Sequence, residues 1–326
     1  MAILGLKDED LCLNFLITST CNAGCSFCIA NEYMDEKNTP NFINSENFKI
    51  FTDMLKKNLS VMQVNILGGE PSLHPNAVEI SREIYKTGTS VGFSTNGIWN
   101  KDFRNSFEKI DFPMEFEITY LGSTAYSTGK LSSLRKTFNQ LKGRDVGLGI
   151  IISSDTKDYN EHLEIARKNR FDIRWSILEP TRKTGLTREY SSIKYLKDCG
   201  KLVIEMVKKA NENGIYTWAD LSVPRCAIED ADLHLFKENM NNIQFKCPPF
   251  FDISPNLDIW RCLPLAPEKT PKLTDYSSFI EAYRSLNKLR EIYKKRGVFD
   301  ECYSCSHLEE LCSGGPTIAK ILKDEK

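Results

Sequence analysis

The sequence predicts an α/β fold built on a parallel sheet with helices on its outside. Six short apolar runs alternate with amphipathic helical segments between residues 11 and 213, the pattern of strands joined by helical crossovers. The strands close on turn-forming residues, and in such sheets ligands gather at the carboxyl ends of the strands. The character changes after about residue 214, where helical periodicity fades, prolines cluster and cysteines return. The expected domains are therefore 1–214 and 215–326.

Residues 11–18, Leu-Cys-Leu-Asn-Phe-Leu-Ile-Thr, read as a buried strand. Ser45 caps a helix expected through about Asn58, with Phe48, Phe51, Met54 and Leu55 on one face. A second strand, Val61–Leu67, stops at Gly68-Gly69-Glu70-Pro71, where glycines permit close backbone approach to a ligand. A helix over 76–86 leads to a strand, Ser90–Ser94, that ends in Thr95-Asn96-Gly97. Helices near 102–109, 131–141, 159–168 and 193–213 alternate with strands near 114–120, 146–152 and 172–178. Further on, Phe279, Tyr283, Leu286 and Leu289 keep helical spacing inside 276–296, with Lys and Arg on a solvated face. No internal repeat or low-complexity linker interrupts the chain.

Composition excludes several classes. The chain has 326 residues, 43 basic and 44 acidic, for a formal net charge of -1, so no global basic field argues for nucleic acid. No apolar stretch is long enough to span a bilayer, and the N-terminus, with Asp8, Glu9 and Asp10, does not resemble a secretory signal. The expectation is a cytoplasmic protein without membrane partners. In that compartment 11 cysteines in clustered spacing read as metal ligands rather than disulfides.

The most informative stretch is Cys21-Asn22-Ala23-Gly24-Cys25-Ser26-Phe27-Cys28, directly after the first strand. C-x3-C-x2-C spacing lets three thiolates hold three corners of one cubane cluster, and the flanking residues offer no fourth ligand. One iron is then left open, which separates a reactive metal site from a structural one. The competing reading is a zinc knuckle completed by a distant ligand. Cys12 on the first strand and Cys199 within a helix read as small buried hydrophobes.

With Gly-Gly-Glu-Pro after the second strand, these residues resemble the radical S-adenosylmethionine (SAM) enzymes. The resemblance implies a partial (β/α)6 barrel over 1–214 and a Twitch- or SPASM-like auxiliary iron–sulfur module over 215–326. It implies that Cys21, Cys25 and Cys28 bind a [4Fe–4S] cluster whose open iron takes the amino and carboxylate groups of SAM. It further implies that Gly68, Gly69 and Glu70 meet the methionyl amine, Phe27 the adenine, and Ser94 and Asn96 the ribose or methionyl part.

Six more cysteines follow in the C-terminal part: Cys226, Cys247, Cys262, Cys302, Cys305 and Cys312. Cys247 and Cys262 bracket a hairpin expected to turn near Pro255-Asn256, which brings the two together. Cys302 and Cys305 form C-x2-C. A full SPASM module has a further cysteine after Gly-Gly, where this chain has Pro316, so one auxiliary cluster is expected rather than two. Cys247, Cys262, Cys302 and Cys305 are its expected ligands, with Cys226 and Cys312 left open. A structural zinc site, with His307 as a ligand, is the alternative.

The implied reaction is hydrogen-atom abstraction followed by oxidation or bond formation, with a flavodoxin- or ferredoxin-type electron donor. Peptide maturation (crosslink, thioether or epimerisation) and oxidation or decarboxylation of a small alcohol or sugar are both open. A non-catalytic metal-binding scaffold is the remaining reading. Only about ten residues precede the first strand, which counts against a leader-binding domain in this chain. No acid, base or hydrogen donor is assigned.

Overall fold

The computed structural model describes residues 10–34, 40–57, 60–156, 158–185, 190, 192–238, 242–263 and 271–325. In chain order the elements are β1 (Leu11–Thr18), α1 (Asn31–Met34), α2 (Ser45–Lys57), β2 (Val61–Gly68), α3 (Ala77–Tyr85), β3 (Ser90–Thr95), α4 (Lys101–Phe107), β4 (Glu115–Thr119), α5 (Thr128–Gln140) and β5 (Val146–Ile152). There follow α6 (Asn160–Asn169), β6 (Asp172–Ile177), α7 (Ile193–Glu212), β7 (Thr217–Ala219), α8 (His234–Glu238), β8 (Phe250–Ile253), β9 (Ile259–Trp260), α9 (Phe279–Lys294) and α10 (Thr317–Asp324).

One nine-stranded sheet runs β7-β6-β5-β4-β3-β2-β1-β8-β9. Neighbours from β7 through β1 to β8 pair in parallel, and β8–β9 is antiparallel. The six expected strands are all present. The sequence reading missed β7, three residues long and too short to show a period, and also α10. Both β7 and the β8–β9 hairpin come from the segment after 214, so that segment extends the sheet at each end. Asn58, the expected end of α2, and the side chain of Leu289 lie outside the described residues.

Alternation along β1 divides two environments. Leu11, Leu13, Phe15 and Ile17 join the main core under the helices. There Phe15 stacks on Phe51 of α2 at 3.9 Å, and Phe51 meets Phe279 of α9 edge-on at 5.7 Å. Helix α9 is thus bonded into the same core as α2, and burying Phe279 is worth about 2–3 kcal/mol. Leu16, on the opposite side of β1, enters a small second core with Ala30, Tyr33, Trp260 and Leu263, against which Cys28 and Leu67 pack. The cysteine loop therefore rests partly on the hairpin that follows 214.

The inner side of the sheet is polar. Asn14 donates to Asp252 at 2.8 Å, Asn65 to Asn14 at 3.3 Å, and Gln63 to Asn65 at 2.8 Å. Nearer the carboxyl ends, Ser94 donates to Glu117 at 2.6 Å, and Arg174 bridges Glu117 at 3.0 Å and Asp220 at 2.9 Å. A sheet interior lined this way is a place for polar ligands rather than a packed core.

Candidate active site

Three loops meet at the carboxyl ends of β1, β2 and β3, as the alternation predicts. Their joint is the Gly68-Gly69 step. A Cβ on Gly68 would lie 2.2 Å from the Thr18 carbonyl oxygen, and one on Gly69 would lie 2.3 Å from that of Thr20. The N–H groups of Gly69 and Glu70 donate to the Thr18 and Thr20 carbonyls, each at 2.8 Å. The close approach these glycines permit is therefore to the backbone that leads into the cysteine loop, not first to a ligand.

Glu70 is fully buried, and its carboxylate is spent on the protein. It accepts from the Ser72 N–H at 3.0 Å, the Thr95 hydroxyl at 2.6 Å and the Asn96 N–H at 2.7 Å. Burial pushes its carboxyl above the usual range, and these donors oppose the shift. This clamp ties the β2 loop to the β3 loop.

Asn96 continues the brace. Its side-chain carbonyl accepts from the Ile98 N–H at 2.8 Å, while its amide donates to Asn22 at 2.8 Å and reaches the Cys21 sulfur at 3.9 Å. Asn22 in turn donates to the Ile98 carbonyl at 2.9 Å. From α5, Lys130 donates to the Asn22 carbonyl at 2.9 Å and the Ala23 carbonyl at 3.4 Å. Cys21 is exposed and Cys25 and Cys28 are half-buried. Burial raises the Cys25 thiol, Cys28 and Cys21 add to this, and Lys130 opposes it. Three thiols that feel one another on one open loop suit a cluster that takes them as thiolates and releases their protons. Among the described residues no three side chains close on a single metal ion; the sulfurs of a cubane sit at separate corners, further apart.

Phe27 is half-buried beside these cysteines. Ser94 points to Glu117, one residue away from the clamp. Tyr126, stacked on Tyr120 at 5.7 Å, is pushed up to about 12 by burial and then by the field of Cys25. Sequence reasoning did not single out Asn22, Thr95, Tyr126 or Lys130. Asn22 and Thr95 lay inside stretches already marked, whereas Lys130 sits on a helix with no local signal.

The C-terminal cysteines fall in two neighbourhoods. Cys226, Cys302, Cys305 and Cys312 line one cavity of about 400 Å³. Burial first, then Cys312, Cys302 and Cys305, push Cys226 up to about 12. The Cys312 sulfur accepts from the N–H of Arg225 at 3.4 Å and of Gly314 at 3.3 Å. Gly297 seats Cys302, and Gly200 seats Ala227, the neighbour of Cys226. A Cβ at Gly200 would lie 1.7 Å from the Ala227 carbonyl, and one at Gly297 would lie 1.9 Å from the Cys302 Cβ. Cys262 belongs elsewhere: burial raises it well above the usual thiol range, followed by Asp252, Glu179 and Cys247. Ser222 Oγ lies 3.2 Å from the Cys247 sulfur. Cys247 and Cys262 flank the β8–β9 hairpin and feel each other's field, while Cys302 lines the cavity with Cys226. Cys226, left open by spacing, lines that cavity with Cys302 across 75 intervening positions of chain. Among the described residues no cysteine forms a disulfide, and Cys12 and Cys199 are buried.

Residues 15–114, which carry all three loops, match the model of the radical SAM superfamily. The chain has a radical SAM domain. Radical SAM domains bind a [4Fe–4S] cluster and SAM, and the three-thiol loop is chemically suited to the cluster. A probable GTP 3',8-cyclase of Saccharolobus islandicus is 24% identical over 181 residues, covering 53% of this chain and 54% of the relative. The mycofactocin maturase MftC of Mycobacterium tuberculosis is 34% identical over 93 residues, 28% of this chain and 22% of the relative. The chain thus spans about half the length, or less, of these curated relatives. Among solved structures, Streptococcus suis SuiB bound to SAM has the same fold, with a TM-score of 0.67 at 14% identity over 95% of this chain and 73% of SuiB. SuiB has also been solved with its precursor peptide SuiA. No helix among the described residues is long and apolar enough to cross a membrane.

Proposed function

We propose that this chain is a radical SAM enzyme that oxidises or crosslinks a peptide with the help of one auxiliary [4Fe–4S] cluster. The auxiliary cluster is the part of a Twitch- or SPASM-like module retained over 215–326. The observation that carries this reading is the second four-thiol cavity, Cys226, Cys302, Cys305 and Cys312, in a chain whose β1 loop already supplies Cys21, Cys25 and Cys28. When bound, the first cluster supplies the electron that splits SAM into methionine and a 5'-deoxyadenosyl radical, and the second offers an acceptor for an electron from the substrate.

The protein's own part is positioning. Cys21, Cys25 and Cys28 hold the first cluster, with Asn22, Asn96 and Lys130 fixing the loop. Gly68, Gly69 and Glu70 meet the methionyl amine through their backbone, since the Glu70 carboxylate is engaged. Phe27, half-buried beside the cysteines, would hold the adenine. Asn96 and Ser94 face the nucleoside side, Ser94 by way of its bond to Glu117. The polar interior around Arg174 and Asp220 receives the substrate.

Peptide substrates are supported by the fold shared with SuiB and by the local identity to MftC. The GTP cyclase relative favours a second reading, oxidation of a small molecule by the same core. Anaerobic reconstitution followed by dithionite reduction in the presence of SAM tests the chemistry. The protein is expected to release 5'-deoxyadenosine, and a reconstituted sample that releases none defeats the proposal. Deuterium transfer from a labelled peptide, but not from labelled nucleotides or sugars, into 5'-deoxyadenosine separates the two substrate readings.

A further inference from the structure

One buried charge has no part in the reading above. Lys320, on α10, is 4% exposed and is the one buried lysine among the described residues. An ammonium taken out of water is costly unless its donors are met and opposite charge lies near. Two carbonyls meet its donors: Lys320 Nζ donates to the Tyr293 carbonyl of α9 at 2.9 Å and to the Ser313 carbonyl. Ser313 follows Cys312 directly, so the ammonium sits against the loop that carries the last cysteine of the four-thiol cavity. Cys302 feels the same charge. Burial raises that thiol first, the Phe299 backbone opposes the rise, Cys312 and Cys305 add to it, and Lys320 opposes it again. Lys323, one turn further along α10, also feels Cys302, but its side chain is 36% exposed and is paired with Asp300 at 2.9 Å. Other charges lining the cavity are weaker influences. Lys197, Glu229 and Glu301 are exposed, so water screens them, and Arg225 is paired with Asp230.

We propose that Lys320 sets the reduction potential of the cluster held by Cys226, Cys302, Cys305 and Cys312, its buried positive charge strengthening that cluster as an electron acceptor. A cluster gains one negative charge when it is reduced, and a fixed cation favours the more negative form, most of all where water does not screen it. The backbone N–H groups of Arg225 and Gly314, which donate to the Cys312 sulfur, act in the same direction. Lys320 acts through the cluster and is a positioning residue, not a catalytic one. The inference rests on the auxiliary cluster proposed above.

The test is an anaerobic redox titration of the holoenzyme followed by electron paramagnetic resonance. The signal to read is the one that persists when Cys21, Cys25 and Cys28 are alanine. Lys320→Met is expected to shift the redox equilibrium toward the oxidised cluster by at least ~10-fold, a fall of about 59 mV in midpoint for a one-electron couple. Lys320→Gln keeps a donor for the two carbonyls and is expected to show the same fall; it serves if the methionine variant does not fold. Lys320→Arg keeps the charge and is expected to restore the wild-type potential. Lys323→Met is expected to stay within ~2-fold of wild type, because solvent screens that lysine. Each variant is expected to keep about eight iron atoms per chain. An unchanged potential in the methionine and glutamine variants overturns the proposal, as does an equal fall in Lys323→Met or in Lys320→Arg. A fall in Lys320→Gln that comes only with loss of iron to about four atoms makes Lys320 a mere brace of the loop and also overturns it. Wild type that binds only about four iron atoms defeats the auxiliary-cluster reading, and with it this one.

Discussion

The two cysteine centres are built in opposite ways. The first takes three thiols from one loop and adds the clamps that hold it: Glu70 between two loops, Asn96 and Lys130 on the third. The second draws Cys226 from a turn packed on α7 and the rest from 302–312. A local motif makes its geometry before the chain folds further, whereas a dispersed one exists only after α7, α9 and α10 have packed. The first centre is expected to survive damage to the second, and the second to be more sensitive to global stability.

The largest test of that contrast removes the loop thiols. Replacing Cys21, Cys25 and Cys28 by alanine is expected to abolish 5'-deoxyadenosine formation, by at least ~1,000-fold, while iron falls from about eight atoms per chain to about four. Loss of all iron would mean that the second centre depends on the first or holds another metal. Next comes the pair Cys226→Ala and Cys312→Ala. Iron is expected to drop to about four with SAM cleavage retained, whereas Cys247→Ala with Cys262→Ala should leave iron near eight. The reverse pattern would restore the grouping that spacing suggests.

A smaller effect is expected at the joint of the first centre. Gly69→Ala must push its Cβ off the Thr20 carbonyl, where it would lie at 2.3 Å. The strain is worth about 3 kcal/mol, read as a lowered midpoint in urea and reduced cluster loading. An unaltered midpoint would show that the two loops can separate freely.

The smallest test concerns pH. Burial pushes Asp252 from 3.8 to about 6, against its hydrogen bond from Asn14. A raised carboxyl contributes stability that is full below pH 3.8 and is lost as pH rises through about 6. The change is on the order of 3 kcal/mol, and Asp252→Asn should flatten the urea-midpoint profile between pH 4 and 6. A profile identical to wild type would remove Asp252 as its source.

The alternation of β1–β6 with α2–α7 follows from periods of 2 and 3.6, which are local and visible in one sequence. The trio at 21–28 and Gly68-Gly69 are legible for the same reason, because their spacing is their geometry. Glycine alone does not say what will approach it, so the contact with Thr18 and Thr20 came only with the paired strands. Cys226 could not be joined to Cys312 by spacing, since nothing in the 85 intervening positions records that a turn packs against Gly200. β7 was too short to have a period, and Lys130 is an ordinary helix residue until α5 lies beside the loop. Local periodicity and local spacing were written in the chain; which distant side chains share a site was decided by packing, because contact across a sheet depends on shape that no single segment contains.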